Sequence, residues 1–350
     1  GFQIVDVSNP GRPLVASSLQ MTYPYDVAVS GAYCYVGDSK SLKVINIADQ
    51  YNPVVVATLA MPDYAQGVFV AGTRAYVACY MAGLVVVDIA NPYSPRIVGI
   101  ADTPSAALAV SVAGNTAVVA DGTAVLTIDV SVPSTPRIVG SLPTTATAVD
   151  VEVSNGYAYV AATTAGMLVI NISNPATPAL VGVAKPRTNG SAVGLSISGN
   201  SAFVANSSSL NTDTGVQVFS IATPASPAQI SFTQVLGRCG GAVCATPSVV
   251  CYGASGSGLT VFGIGSGASL EVRGRLSESS LTRSVRVYGT SLYVVTNSSV
   301  KSQMHTYDIT DPAAPRHVAS MTFDYPYDVA VSGAYCYVGD SKSLKVINIA

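Results

Sequence analysis

Tryptophan is absent from the 350-residue sequence, only two histidines occur, and charged residues make up 10% of the chain. With so few imidazoles and no Cys-x-x-Cys pair, the sequence lacks the ligand set of a structural zinc site. The 17 basic residues are dispersed and the net charge is −2, so no basic patch is available for nucleic acid. The apolar runs fall short of the roughly 20 residues that a membrane-spanning helix needs. The sequence thus argues against zinc-finger, nucleic-acid-binding and helical membrane proteins.

What the sequence has instead is a short apolar segment that recurs along its whole length. Leu84–Ile89 (LVVVDI) and Leu168–Ile172 (LVINI) are two of the copies. A fixed period of several tens of residues is typical of propellers and solenoids. One mostly polar position recurs in the aligned copies at intervals of 40 to 49 residues, at Asp6, Asn46, Asp88, Asp129, Asn171, Ser220, Gly263, Asp308 and Asn348.

Each repeat contains four apolar segments of strand length. Their β-branched runs are too short for helices. Paired prolines such as Pro92 and Pro95 end the third segment, because proline fixes φ and removes a hydrogen-bond donor. Segments such as Asp26–Ser30 are apolar on both faces, and blades packed side by side around an axis bury both. The sequence therefore predicts an all-β fold, a single β-propeller of four-stranded blades, with a β-solenoid as the less favoured architecture.

The repeat boundaries place the whole chain, residues 1–350, in one propeller. The blade units are expected at about residues 23–63, 64–104, 105–145, 146–188, 189–237, 238–279 and 280–324, with a composite blade from 325–350 plus 1–22. Eight blades closed by pairing of the N- and C-terminal strands are favoured, and seven blades with overhanging ends are the alternative. Tyr23–Ala48 and Tyr325–Ala350 are identical; duplication, engineering or a sequence-assembly artefact would each produce this.

The motif around the third strand resembles a known repeat. Gly83–Gly99 (GLVVVDIANPYSPRIVG) and Gly166–Pro175 (GMLVINISNP) are similar to the LVIVD repeat, a propeller blade of bacterial and archaeal surface proteins. The similarity weakens between Asn189 and Glu278. The resemblance implies a propeller in an extracellular or cell-surface setting, and it offers no catalytic residues to carry over.

The search for catalytic chemistry finds one weak polar set. No Gly-x-Ser-x-Gly elbow or phosphate loop occurs, and propeller dehydrogenases with quinone cofactors usually stack the cofactor on tryptophan. The alignment places Asp26, Asp150 and Glu152 on innermost strands near the mouth of an axial channel. Carboxylates there would bind a cation such as Ca²⁺, or they are solvated polar residues at a wet axis. The second interpretation is favoured, and no cofactor is expected.

Two further groups of residues are candidates for contacts or cross-links. Tyrosines give large contact areas at small entropic cost, and the loops at the channel entrance carry Tyr23, Tyr25, Tyr64 and Tyr80. Three cysteines crowd into one repeat, where they form a disulfide or remain small buried apolar residues; these are Cys239, Cys244 and Cys251.

These observations predict a non-enzymatic module on the cell surface or outside the cell that binds a protein or glycan partner, or assembles with itself. One alternative is a subunit of a head-to-tail filament joined by terminal strands. The other is a metal-dependent enzyme with a carboxylate site at the channel mouth. The stretch contains no transmembrane segment, and a signal peptide or anchor outside it is left open.

Overall fold

The computed structural model describes most of the chain. The described residues are 2–6, 14–49, 53–186, 190–208, 214–234, 238–245, 249–255, 258–264, 270–276, 281–288, 290–297, 302–310, 316–323, 326–332, 335–340 and 343–348. Within these ranges the regular secondary structure is β-strand. The described residues contain no helix that is long and apolar enough to cross a membrane.

Six sheets of the described residues have four strands each, which follow one another in sequence and pair antiparallel. These sheets confirm the predicted propeller of four-stranded blades. Their strands are β3 (Pro24–Ser30), β4 (Tyr33–Asp38), β5 (Ser41–Asn46) and β6 (Val54–Ala60); β7 (Gly67–Ala71), β8 (Arg74–Ala78), β9 (Leu84–Asp88) and β10 (Arg96–Ala101); β14 (Asp150–Ser154), β15 (Tyr157–Ala162), β16 (Gly166–Asn171) and β17 (Ala179–Ala184); β18 (Gly190–Ser198), β19 (Ser201–Ser208), β20 (Gly215–Ser220) and β21 (Ala228–Gln234); β22 (Arg238–Ala245), β23 (Val249–Ser255), β24 (Gly258–Ile264) and β25 (Leu270–Leu276); β26 (Leu281–Tyr288), β27 (Ser291–Asn297), β28 (Ser302–Asp308) and β29 (Arg316–Phe323).

A seventh sheet has three strands, β11 (Ala109–Ala113), β12 (Thr116–Asp129) and β13 (Arg137–Ala148). The first part of β12 pairs with β11 and its second part pairs with β13. One long strand thus fills the positions of the second and third strands. Gly122, with φ +59°, lies where the other sheets turn between those two strands.

Strands from both ends of the chain share an eighth sheet of five strands. It contains β1 (Phe2–Asp6), β2 (Leu14–Gln20), β30 (Pro326–Ser332), β31 (Tyr335–Asp340) and β32 (Ser343–Asn348). β1 pairs parallel with β32, and β2 pairs antiparallel with β1 and with the start of β32. The extra strand arises because β1 and β32 both carry the sequence of a third strand. The count of eight blades and the closure of the ring stay predictions.

The hydrophobic core lies between neighbouring sheets, as expected for blades that are apolar on both faces. On β8, Ala75 and Val77 pack in a cluster with Leu42 and Val44 of the preceding sheet. Tyr76 and Ala78, which point to the opposite face, pack in the cluster shared with β12 of the following sheet. Alternate residues of one strand are therefore buried against two different neighbours.

At the outer edge, the proline turns interlock with the preceding sheet. A Cβ atom on Gly99, in β10, would lie 2.2 Å from the Pro133 carbonyl oxygen of the following repeat, and one on Gly140, in β13, would lie 2.3 Å from that of Pro175. Gly182 meets Pro224 in the same way. The glycine of the fourth strand therefore leaves room for the proline turn of the next blade, a second use of these prolines that sequence analysis missed.

At the axis, the first strands of consecutive sheets contact one another. These contacts run from β3 through β7, β11, β14, β18, β22 and β26 to β30, and β30 also contacts β3. A first strand has a neighbour on one side only within its own sheet. Its other side therefore depends on contacts with the adjacent blades.

Candidate functional site

Three of the four predicted tyrosines meet at one end of the sheets. Tyr25 and Tyr64 have ring centroids 6.0 Å apart with planes at 83°, and Tyr64 and Tyr80 have centroids 6.3 Å apart with planes at 73°. Both contacts are edge-to-face, a favourable arrangement of aromatic rings. We call Tyr25, Tyr64 and Tyr80 the tyrosine row. Tyr23 is 54% exposed and takes part in none of the ring contacts found among the described residues.

The backbone explains why these rings converge. Tyr25 is the extra residue of a β-bulge between Pro24 and Asp26, and bulges re-aim side chains. Tyr80 follows β8 with φ +44°, a left-handed conformation that is uncommon for residues other than glycine. Its carbonyl oxygen accepts a hydrogen bond from the Ala107 amide at 2.9 Å. The loop of Tyr80 is thereby fixed to the following sheet.

A lysine covers the middle of the tyrosine row. The Lys40 ammonium lies 4.9 Å from the centre of the Tyr64 ring, within the range of a cation–π contact. The same ammonium is 2.9 Å from a carboxylate oxygen of Asp63. The hydrogen bond between the two lowers the pKa of Asp63 and raises that of Lys40, so both groups stay charged.

Two buried residues at the end of the second strand anchor the loops that carry the tyrosines. The Asp38 carboxylate, 1% exposed, accepts hydrogen bonds from the backbone amides of Thr22 at 2.9 Å and Tyr23 at 2.6 Å. In the next repeat Cys79 takes this position. Its sulfur accepts from the Asp63 amide at 3.3 Å, and its S–H donates to the Asp63 carbonyl at 3.1 Å. Burial raises the pKa of Cys79 to about 11, which keeps the thiol protonated. Sequence analysis missed both anchors.

The tyrosine row leads into a cavity of about 370 Å³ at the axis. Tyr25 belongs to both the row and the cavity wall, so the two form one continuous surface. The polar side chains of the wall come from four different first-strand regions; they are Tyr25, Asp26, Gln66, Asp150 and Arg286.

The structure places the predicted carboxylates at the axis but gives them backbone partners. The Asp26 carboxylate accepts from the Val27 amide at 2.8 Å and from the Val68 amide of the next sheet at 2.7 Å. Asp150 repeats this pattern with the amides of Val151 at 2.9 Å and Leu195 at 3.0 Å.

Two further polar side chains make the same bridge between first strands. Glu152 accepts from the Ile197 amide at 3.0 Å, and the Ser111 hydroxyl accepts from the Val153 amide at 3.2 Å. First strands are edge strands, so their axis-facing amides lack a strand partner, and these side chains supply one. The axial polar residues therefore hold adjacent blades together.

The same carboxylates are the predicted ligands of a metal ion. Within the described part of the chain, no group of three or more histidine, cysteine, aspartate and glutamate side chains could hold one. Burial raises the pKa of Asp150, against its two backbone hydrogen bonds and the charge of Arg286. Burial also raises that of Glu152, and the nearby Asp150 carboxylate adds to the effect. The cation site at Asp26, Asp150 and Glu152 stays a prediction.

The raised pKa of Asp150 predicts a specific pH dependence of stability. The folded state binds a proton more readily than the unfolded state, so this residue's contribution falls as pH rises from the ordinary value of 3.8 to the higher folded value. Asp150→Asn removes that titration. We expect the difference in free energy of unfolding, wild type minus variant, to decrease with rising pH across this window, as measured by urea unfolding at several pH values. A pH-independent difference would contradict the assignment. Aspartates with a lowered pKa, such as Asp88, contribute stability that rises with pH. The wild type and the variant both contain them, so their contributions cancel in the difference.

The predicted disulfide remains untested. Cys244 and Cys251 lie directly opposite each other on β22 and β23, and Cys251 is buried. The side chains of Cys239 and Cys244 lie outside the described residues. The strand pairing therefore places one cysteine pair in register, and the disulfide stays a prediction.

The comparison with known proteins agrees with the propeller fold. The LVIVD repeat matches residues 1–20, 23–60, 62–103, 105–144, 146–185, 189–211 and 325–350. No curated protein matches the sequence. Similar solved structures include the computationally designed Ika8 protein, with TM-score 0.75, 13% identity and coverage of 94% of this chain and 97% of that chain.

Two further solved structures are similar to the same extent. BamB from Moraxella catarrhalis has a TM-score of 0.75 and 11% identity, with coverage of 95% of this chain and 96% of that chain. Sqt1 from Saccharomyces cerevisiae has a TM-score of 0.75 and 9% identity, with coverage of 95% of this chain and 97% of that chain. At these identities the likeness concerns the fold alone. The LVIVD matches, in contrast, span well over half of the chain. The chain therefore belongs to the LVIVD-repeat family and folds as a β-propeller.

Proposed function

We propose that this propeller is a non-enzymatic binding module that docks a segment of a partner protein on the tyrosine row. The observation that carries the proposal is the edge-to-face packing of Tyr25, Tyr64 and Tyr80 at the mouth of the axial cavity. Aromatic residues beside a concave site are enriched among the residues that dominate binding energy.

The fixed geometry of the row supports this proposal. Immobilising a flexible side chain on binding costs about 0.5–1.5 kcal/mol. Tyr64 is 37% exposed but already contacts two rings and the Lys40 ammonium. A partner that covers Tyr64 therefore gains contact area at little further entropic cost. Lys40 and Asp63 supply one charge of each sign at the rim, which suits the polar atoms of a peptide.

Selection from a displayed random-peptide library on the folded chain tests the proposal. We expect selected peptides to lose about 30-fold in affinity for Tyr64→Ala, since truncating a dominant interface residue costs about 2 kcal/mol or more. Tyr93→Ala is the matched control. Tyr93 is 58% exposed and makes an edge-to-face contact with Tyr33, but its turn lies at the opposite end of the blade. Its replacement should leave affinity unchanged.

Other outcomes of the same experiment are informative. Peptides that bind Tyr64→Ala as well as the wild type would place the docking surface elsewhere and overturn the proposal. A glycan array in parallel tests the other predicted ligand class. Glycans that bind in a Tyr64-dependent manner while no peptide does would replace the protein partner by a sugar.

We further propose that the ring has eight blades and closes through the shared sheet of β1, β2, β30, β31 and β32. The parallel pairing of β1 with β32 within one chain supports this closure, as does the contact between β30 and β3. The same strands paired between molecules would give the head-to-tail filament, which is the alternative. An extracellular or cell-surface location is proposed from the family resemblance.

A metal-dependent enzyme is the less favoured alternative. Asp26 and Asp150 each use both carboxylate oxygens on backbone amides. These bonds give the carboxylates a role in blade packing that needs no ion. We therefore favour binding without catalysis at this end of the molecule.

A further inference from the structure

The two histidines of the sequence meet on the outer strands of one sheet, away from the tyrosine row. His305 lies in β28, and His317 and Ser320 lie in β29. The Ser320 hydroxyl oxygen is 2.9 Å from His305 Nδ1 and 2.6 Å from His317 Nε2. His305 is only 5% exposed, whereas His317 is exposed.

A β-bulge brings the two rings to the same face. The register of β28 and β29 shifts between Thr306 and Tyr307, so that His317 lies opposite Tyr307. Without the shift His317 would lie opposite Asp308 and would point to the other face, because side chains alternate along a strand. The buried Tyr307 ring lies 6.0 Å from the His305 ring and 5.2 Å from the His317 ring, and it packs against both imidazoles.

The hydrogen bonds of the His305 ring join it to both neighbouring strands. Nε2 lies 3.4 Å from the Thr296 hydroxyl oxygen, and Nδ1 lies 2.9 Å from the Ser320 hydroxyl oxygen. The Thr296 hydroxyl also donates to the Gln303 carbonyl at 3.2 Å. Neutral imidazole has one donor and one acceptor nitrogen. In the tautomer whose Nε2 donates to Thr296, the Nδ1 lone pair is directed toward Ser320 and His317.

We infer that His305 Nδ1 and His317 Nε2 form a binding site for a divalent transition-metal ion such as Zn²⁺ or Ni²⁺. Imidazole nitrogen is a preferred ligand of these ions, whereas Ca²⁺ and Mg²⁺ prefer oxygen. Both nitrogens already approach one point, the position of the Ser320 oxygen. Rotation of the Ser320 side chain and a small movement of the exposed His317 bring both nitrogens to the roughly 2.0–2.1 Å that zinc requires.

The surroundings favour this use of the pair. The hydrogen bond between His305 Nε2 and the Thr296 hydroxyl orients the ring, as outer hydrogen bonds of metal-bound histidines generally do. Two protein ligands leave the remaining coordination positions to water or to a group from another molecule. The site is thus suited to reversible binding of the ion.

Titration of the untagged chain with ZnCl₂, followed by calorimetry and by ¹⁵N NMR of the imidazoles, tests this inference. We expect one Zn²⁺ per chain and shifts of His305 Nδ1 and His317 Nε2. His317→Asn should weaken binding by about 10-fold or more, given the sensitivity of metal sites to changes around the ligands. Ser320→Ala removes the bridging hydroxyl but no nitrogen, and it should leave the affinity within a few-fold of wild type.

Two results would overturn the inference. One is a Zn²⁺ affinity that His317→Asn leaves unchanged; the other is saturation with millimolar Zn²⁺ that moves neither imidazole or only one. His317 is exposed, so the variant should keep the fold, and an unchanged thermal transition verifies this. Neither result bears on peptide binding at the tyrosine row, which lies elsewhere on the molecule.

Discussion

Gly140→Ala should lower the free energy of unfolding by about 3 kcal/mol, because the added methyl group overfills a packed boundary between blades. Its Cβ would lie 2.3 Å from the Pro175 carbonyl oxygen, 2.4 Å from the Pro178 ring and 2.5 Å from the Thr127 hydroxyl. The first of these atoms is backbone and the second is part of a rigid ring. Neither can move aside without displacing the turn of the next blade.

Gly114→Ala is the matched control in equilibrium urea unfolding. Gly114 has φ +57° and open space around its Cβ position, so alanine there meets only the left-handed conformational cost of about 1–2 kcal/mol. We therefore expect the free energy of unfolding to be highest for the wild type, lower for Gly114→Ala and lowest for Gly140→Ala. Equal stability of the two variants would mean that the proline turn does not interlock with Gly140.

The sequence was sufficient to predict the blades because strands that are buried on both faces have consecutive apolar residues. Val77 and Tyr76 are adjacent in sequence, both apolar, and packed against different sheets. The proline turns were correctly placed after the third strand, but their packing against Gly99 and Gly140 was not predicted. That contact joins different repeats, and strand propensity says nothing about contacts between repeats.

The pairing of the chain ends shows a different limit. β1 and β32 both fit the pattern of a third strand, so the sequence cannot say which of them lies beside β2. In the structure β1 pairs with β2 and with β32, and β2 also pairs with the start of β32. Two segments that satisfy the same pattern therefore occupy neighbouring positions in one sheet, and the pattern alone does not give their order.

Within the candidate site, the residue positions were predictable and their partners were not. The tyrosines of the row were identified from their entrance loops. The bridge from Asp26 to the Val68 amide spans 42 residues, close to one repeat, so the period brings the two strands together. It does not reveal that the carboxylate accepts hydrogen bonds from backbone amides. Sequence analysis did not predict that the two histidines share a face, because a single bulge, which hydrophobic patterning does not show, determines the face of His317.

Asp38→Ala should lower the free energy of unfolding by about 3–5 kcal/mol, the usual effect of removing one partner from a buried ion pair. The Asp38 carboxylate is 2.6 Å from the Lys43 ammonium, and both side chains are largely buried. Its loss leaves that ammonium without its counter-charge and the Thr22 and Tyr23 amides without their acceptor. Unfolding in urea, monitored by circular dichroism, measures the loss.

The double variant Asp38→Ala/Lys43→Met separates the charge from the hydrogen bonds. Methionine removes the buried ammonium but keeps an apolar side chain, so we expect it to restore a large part of the stability lost in Asp38→Ala. What remains lost measures the anchoring of Thr22 and Tyr23. Asp63→Ala breaks the pair with Lys40, whose side chain is 53% exposed, and it should have a far smaller effect. If Lys43→Met restores nothing, the Asp38 carboxylate acts through the loop amides alone, and the entrance loop depends on that anchor and not on the ion pair.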